Sequence, residues 1–153
     1  MAGVVLAVLA GACGGGNSAG GNVTATIGGR SWRSPGAGFI ITGSDGSTNF
    51  DMQGATPLPN SPLIDSSKPI LLVVFPQEVP LVGTYGVDGV TVDVEYEKDV
   101  NTLYSASNGS VQIASISTSR AQGSFNFELR SPIANPTVLT VTDGAFDVPV
   151  AAD

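Results

Sequence analysis

The sequence is 153 residues long, 42% hydrophobic and only 12% charged, so it can fill the core of one domain while Ser, Thr, Asn, Gln and Gly build much of the surface. Its six basic residues, scattered through a chain of net charge −7, form neither a phosphate-tracking stripe nor a polybasic lipid-binding segment, which argues against nucleic acid as a partner. Histidine is absent and cysteine occurs once, which removes the commonest general base, the usual Cys/His zinc sites and any internal disulfide.

Residues 2–12 (AGVVLAVLAGA) are an apolar run of export-signal length, too short to cross a bilayer as a helix. The run ends Ala10-Gly11-Ala12-Cys13, small residues leading into a cysteine. This resembles a bacterial lipobox, where a signal peptidase cuts before the cysteine and the new N-terminus carries lipid. Ala10 stands where such motifs usually have Leu, and Leu9 lies one place earlier. Residues 14–21 (GGGNSAGG) read as a flexible tether that would hold a domain about 15 Å from a bilayer. The organisation read from these parts is a signal peptide over 1–12, lipidated Cys13 with its tether over 13–21, and a single β domain over 22–153.

From Asn22 onward, short alternating runs are broken by Gly, Pro, Asn and Asp, the pattern of antiparallel β structure. Val23, Ala25 and Ile27 alternate with threonines, and Gly28-Gly29 offers a two-residue turn into a return strand carrying Trp32. Residues 39–41 form a second strand region that Asp45-Gly46 turns into 48–53. Residues 55–68 hold three prolines and no period, and read as a loop. The continuous apolar run 70–75 predicts a central strand buried on both faces, ended by Pro76 and Pro80. Residues 81–86 lead through Asp88-Gly89 into 90–97, where Val90, Val92, Val94 and Tyr96 face one way and Asp93, Glu95 and Glu97 the other. Further strands are predicted at 102–106 and 110–117, with Asn108-Gly109 as the hairpin turn between them. The last strands are predicted at 123–129, 137–142 and 145–150, the final pair parted by Asp143-Gly144. The fold class is all-β, an antiparallel β-sandwich or β-barrel of about 8–10 short strands; alternation alone does not separate the two.

The order of several short motifs resembles the DUF6252 family of small bacterial lipoproteins, a set defined by sequence with no established activity. The motifs are residues 25–32 (ATIGGRSW), 83–85 (GTY), 109–113 (GSVQI), 121–127 (AQGSFNF) and 143–146 (DGAF). The resemblance spans most of the domain and implies an envelope lipoprotein. It implies no catalytic or binding residue.

Asp93, Glu95 and Glu97 share one strand face at about 7 Å spacing, with Asp88 and Asp99 at its ends. Such carboxylates could contribute to a calcium site, although a flat strand needs loop oxygens to complete the six to eight that calcium takes. The plainer role is a solvated face that discourages edge pairing. Paired carboxylates could also hydrolyse a glycoside, but Glu95 and Glu97 have no aromatic platform on their face. No serine lies in a G-x-S-x-G elbow, and no motif singles out Lys68 or Lys98 as its activator. Trp32, Tyr85, Tyr96 and Tyr104 could stack on a ligand, yet core packing suits Trp32 and Tyr96 better. The loops at 55–68 and 79–82 are where a partner would touch.

These readings lead to a membrane-anchored lipoprotein of the bacterial cell envelope, on the outer membrane or its periplasmic face, held by lipid on Cys13. The expected role is a non-enzymatic binding or structural module, with an envelope protein, a glycan or a small apolar ligand as partner. The alternative is a lipocalin-like carrier of a small apolar ligand, and an enzyme comes third. No catalytic residue and no cofactor other than calcium is expected.

Overall fold

The computed structural model describes residues 20–59 and 63–152. Residues 1–12, Cys13 and most of the tether lie outside that range. Nine strands account for the described chain: β1 (Gly21–Ile27), β2 (Arg30–Thr42), β3 (Thr48–Gly54), β4 (Ile70–Phe75), β5 (Gly83–Gly86), β6 (Asp93–Asp99), β7 (Thr102–Ile116), β8 (Arg120–Arg130) and β9 (Val138–Ala152). The sheet runs β7-β6-β4-β3-β2-β1-β9-β8 and closes through a β7–β8 ladder, giving an eight-stranded antiparallel barrel. The choice between sandwich and barrel is thereby made: the fold is a barrel.

Two details complete the wall. β7 is longer than β6, which pairs with it only over residues 102–105, and β5 takes β6's place beside residues 110–113. β9 likewise outruns β1. Where β1 begins at Gly21, the end of β9 meets β2 directly, in a short parallel contact of Gly38, Ile40 and their neighbours with residues 150–152. The strands are strongly staggered. A row of partners from Gly21 through Gly36, Gly54, Leu71 and Tyr96 reaches β7 at Tyr104. The row from Asn22 through Asp147 and Gln122 reaches the same strand at Ser115. Strand tilt and stagger of this kind are what closing a twisted sheet requires.

Alternation places one side of each strand inside. β1 shows it plainly, with Gly21, Val23, Ala25 and Ile27 buried and the threonines between them half-exposed. Phe50 and Met52 on β3, Leu71, Val73 and Phe75 on β4, and Val94 and Tyr96 on β6 continue the core. On β7 the buried residues are Tyr104 and Ala106 at first, then Val111 and Ile113. The parity changes because Ser107 is an extra residue that the β8 ladder skips, between the pairs Ala106↔Leu129 and Asn108↔Glu128.

This corrects the reading of Asn108-Gly109 as a hairpin turn. The dipeptide lies within one 15-residue strand, and Gly109 takes φ +124° to absorb the bulge. Asp143-Gly144 is corrected in the same way. β9 is continuous through it, with Val141 buried before the bulge and Phe146, Val148 and Val150 after it. The slip shows against both neighbours, between Thr24 and Thr26 of β1 and between Phe125 and Phe127 of β8, and Asp143 takes φ +53°.

Two further expectations change. β6 begins at Asp93, not Val90, whose side chain is 60% exposed in the preceding turn. That turn is built on the Asp88 carboxylate, which accepts from the N–H groups of Val90 and Thr91 at 2.8 and 2.6 Å. β4 is buried on both faces only at its start, where Ile70 on the outer side is 5% exposed; beyond it Leu71, Val73 and Phe75 point inward, while Leu72 and Val74 are half-exposed outside. A barrel wall has one fully dry face, and on the outer side of β4 Leu72 and Val74 meet water between the polar side chains of β3 and β6.

Candidate functional site

An eight-stranded barrel has an interior just wide enough either to be filled by side chains or to hold one small ligand. Here the side chains fill it. Phe50, Met52, Leu71, Val73, Val94, Val111, Ile113, Leu129, Val141 and Val148 are each at most 1% exposed, as closely packed interior side chains are. Aromatic rings occupy much of the remaining volume. Phe125 stacks on Phe127 with centroids 5.2 Å apart, and Phe146 lies 6.5 Å from Phe125. Tyr96 and Tyr104, candidates for ligand stacking, face each other at 6.2 Å inside the core. Tyr85 sets its ring edge-on to Phe75 at 5.2 Å, and Trp32 is half-buried against the same core. All four aromatics therefore pack on the barrel.

The acidic strand face is present. Asp93, Glu95 and Glu97 lie on the outer face of β6, alternating with buried Val94 and Tyr96. Glu95 sits opposite Leu72 on β4, and Asp93 opposite Val74. Burial beside those aliphatic chains, then repulsion from Asp93 and Glu97, pushes the Glu95 carboxyl above its ordinary value. Among the described residues no three His, Cys, Asp or Glu side chains gather closely enough to hold a metal ion. The carboxylates stand in a row, as alternate residues of a strand must.

One acidic residue escaped the sequence reading. Asp51, on the outer face of β3, lies between Phe39 of β2 and Val74 of β4. Burial raises its carboxyl above the ordinary 3.8, opposed by an Asn49 Nδ2 that donates to it at 2.9 Å. Its sequence signal is the alternation Phe50-Asp51-Met52, but its apolar neighbours come from other strands.

The outer surface carries shallow open depressions. One of about 330 Å³ is bordered by Thr24, Ser31, Arg33 and Asp143, and one of about 180 Å³ by Pro35, Gln53, Pro57 and Ile64. Two described parts of the loop predicted at 55–68 meet: Pro57 bridges to Ile64, and the Leu58 N–H donates to the Leu63 carbonyl at 2.8 Å. The loop at 76–82 is pinned by Tyr85, whose hydroxyl accepts from the Leu81 N–H and donates to the Leu81 carbonyl, both at 2.9 Å.

No family model, curated protein or solved structure matches this chain. The functional reading therefore rests on the residues alone.

Proposed function

We propose that this chain is a lipoprotein of the bacterial cell envelope, tied to a membrane by lipid on Cys13, whose barrel serves as a non-enzymatic binding or structural module at the membrane surface. Two features support the reading. The N-terminal sequence joins an apolar run, small residues, a single cysteine and a Gly-rich tether in the order a lipid anchor needs. The barrel interior is occupied by its own Phe, Tyr, Val, Ile and Leu side chains, which leaves the outer wall and the loops as the working surface. The filled interior is the observation that carries the choice of a surface module over a carrier.

A lipocalin-like carrier is the second reading, favoured by the closed eight-stranded wall. It would require the packed rings to move apart to admit a ligand. A role within the DUF6252 family is consistent with either.

The test is the Cys13→Ser chain, which should leave the membrane fraction while the parent stays in it. Native mass spectrometry of the released protein then separates the readings. A bare polypeptide mass supports the surface module, and a bound mass of a few hundred daltons supports the carrier. A gain of about 38 Da would instead assign calcium to the Asp93, Glu95 and Glu97 face. A parent chain that is soluble with its N-terminus intact would sink the anchor itself.

A further inference from the structure

Among the described residues, the two most exposed large apolar side chains are neighbours, Leu81 at 76% and Val82 at 67%. Both belong to the loop joining β4 to β5, which is held rather than slack. Pro80 is buried beneath it, the Tyr85 hydroxyl grips both the N–H and the carbonyl of Leu81, and the Tyr85 ring is wedged against Phe75. The fold thus fixes two adjacent aliphatic side chains in water, whereas Val90, Val100 and Ile133, exposed at 60%, 63% and 62%, stand singly.

The location of this loop points to its partner. The row from Asn22 reaches Ser115 on β7, and β5 begins at Gly83 opposite Ile113, so Leu81 and Val82 precede β5 on the side of the β7–β8 turn. β1 runs away from that rim, so the chain enters the barrel in the half that the loop crowns. Eight residues separate Cys13 from Gly21 in sequence if Gly21 is counted, a reach of about 15 Å. The opposite rim, with exposed Val100 and Ile133, lies beyond the whole of β1, about 20 Å further along the strand direction. Glu78 is the one charged side chain between Pro76 and Val82, so attraction to an anionic headgroup is not what would hold the loop.

We propose that Leu81 and Val82 enter the headgroup–acyl boundary of the bilayer that carries the lipidated Cys13, giving the barrel a second foot and a fixed orientation. The proposal rests on the lipid-anchor reading. Apolar burial of this kind is short-ranged and insensitive to salt.

The test uses the full chain carrying Val82→Cys, or Ile133→Cys as the opposite-rim control, purified from bacterial membranes into phosphatidylethanolamine–phosphatidylglycerol vesicles. A lipidated Cys13 has its sulfur in a thioether, so only the introduced thiol takes a polarity-sensitive fluorophore. The mass of the N-terminal peptide reports lipidation independently. The expected result is a blue-shifted label at 82, quenched several-fold more strongly by nitroxide lipids than the label at 133, and unchanged in high salt. Leu81→Cys should read the same, which guards against a local defect at one position. A lipidated chain whose labels at 81 and 82 are as aqueous as the label at 133 overturns the second foot and leaves the anchor standing. A chain without lipid on Cys13 overturns both.

Discussion

Ser34 is a hydroxyl enclosed by an apolar barrel. It is 2% exposed, pairs across β1–β2 with Val23, and its Oγ has no hydrogen-bond partner. A buried polar group left unsatisfied costs about 1–3 kcal/mol, while the methyl that would replace it costs nothing to bury. Ser34→Ala should therefore raise stability by about 1 kcal/mol, read as a higher urea midpoint at unchanged slope. The glycines carry the opposite lesson. A Cβ on Gly144 would run into the ring and carbonyl of Phe125, whereas one on Gly20 would meet nothing within 4 Å. Gly144→Ala should lower stability by about 2–3 kcal/mol, with Gly20→Ala indistinguishable from the parent. Equal losses at the two sites would mean that backbone entropy, not the Phe125 contact, sets the cost.

Within single strands, the bulges of β7 and β9 decide which residues face the core. The bulge at Ser107 of β7 and the one at Asp143 of β9 each insert one residue and each lie at or beside a positive φ, at Gly109 and Asp143, while the second bulge of β7, between Ile113 and Ser115, uses none. Aspartate tolerates the left-handed region better than most side chains, and a β-branched residue tolerates it least. Asp143→Val should cost about 1–2 kcal/mol in thermal or denaturant unfolding, while Asp143→Gly should cost little or nothing. The turn before β6 is a different device, with the Asp88 carboxylate collecting two backbone N–H groups and the Thr91 hydroxyl. Those bonds hold its pKa at about 2, below the ordinary 3.8. Its contribution is fully present above 3.8 and is lost as pH falls through about 2.

For the whole molecule, stability against pH is a contest between two sets of carboxylates. Asp45, Asp65, Asp88, Asp99 and Asp147 are held below their ordinary values, the first four mainly by hydrogen bonds in their own turns and Asp147 by the Arg120 guanidinium at 2.6 Å. Asp51 and Glu95 are pushed up by burial, so their charged forms weaken the fold, and that penalty disappears as pH falls through their raised values. Melting temperature should rise on acidifying from neutrality and then fall once pH drops below about 3.8, placing the maximum on the acid side of neutral. Asp51→Asn should raise the melting temperature at pH 7 and flatten the gain on acidification. A profile that declines steadily from pH 7 downward would refute the penalty assigned to Asp51 and Glu95. The filled interior makes its own demand: Leu129→Ala should cost about 2–5 kcal/mol, because neighbours packed to zero exposure cannot collapse into the space.

Much of this architecture was written locally. The alternation of Val23, Ala25 and Ile27, the Gly28-Gly29 turn with positive φ at both residues, and the core positions of Tyr96 and Val94 follow from period-2 patterning and turn chemistry. The acidic face of β6 was equally legible, because residues two apart on a strand share a side whatever else the chain does. What resisted the sequence were features set by partners distant in the chain. Asn108-Gly109 and Asp143-Gly144 carry the residues of a turn, and only the ladders to β8 and β1 keep each inside a continuous, bulged strand. Val90 continues the alternation of β6 but is taken out of the strand by the Asp88 turn. Asp51 is desolvated by Phe39 and Val74, which no local window brings to it. By itself, then, the sequence determined an all-β chain with a known inner face on most strands. Closure into a barrel was decided only in three dimensions, because alternation fixes which side of a strand is dry, while closure depends on the stagger between strands that meet around the whole circumference.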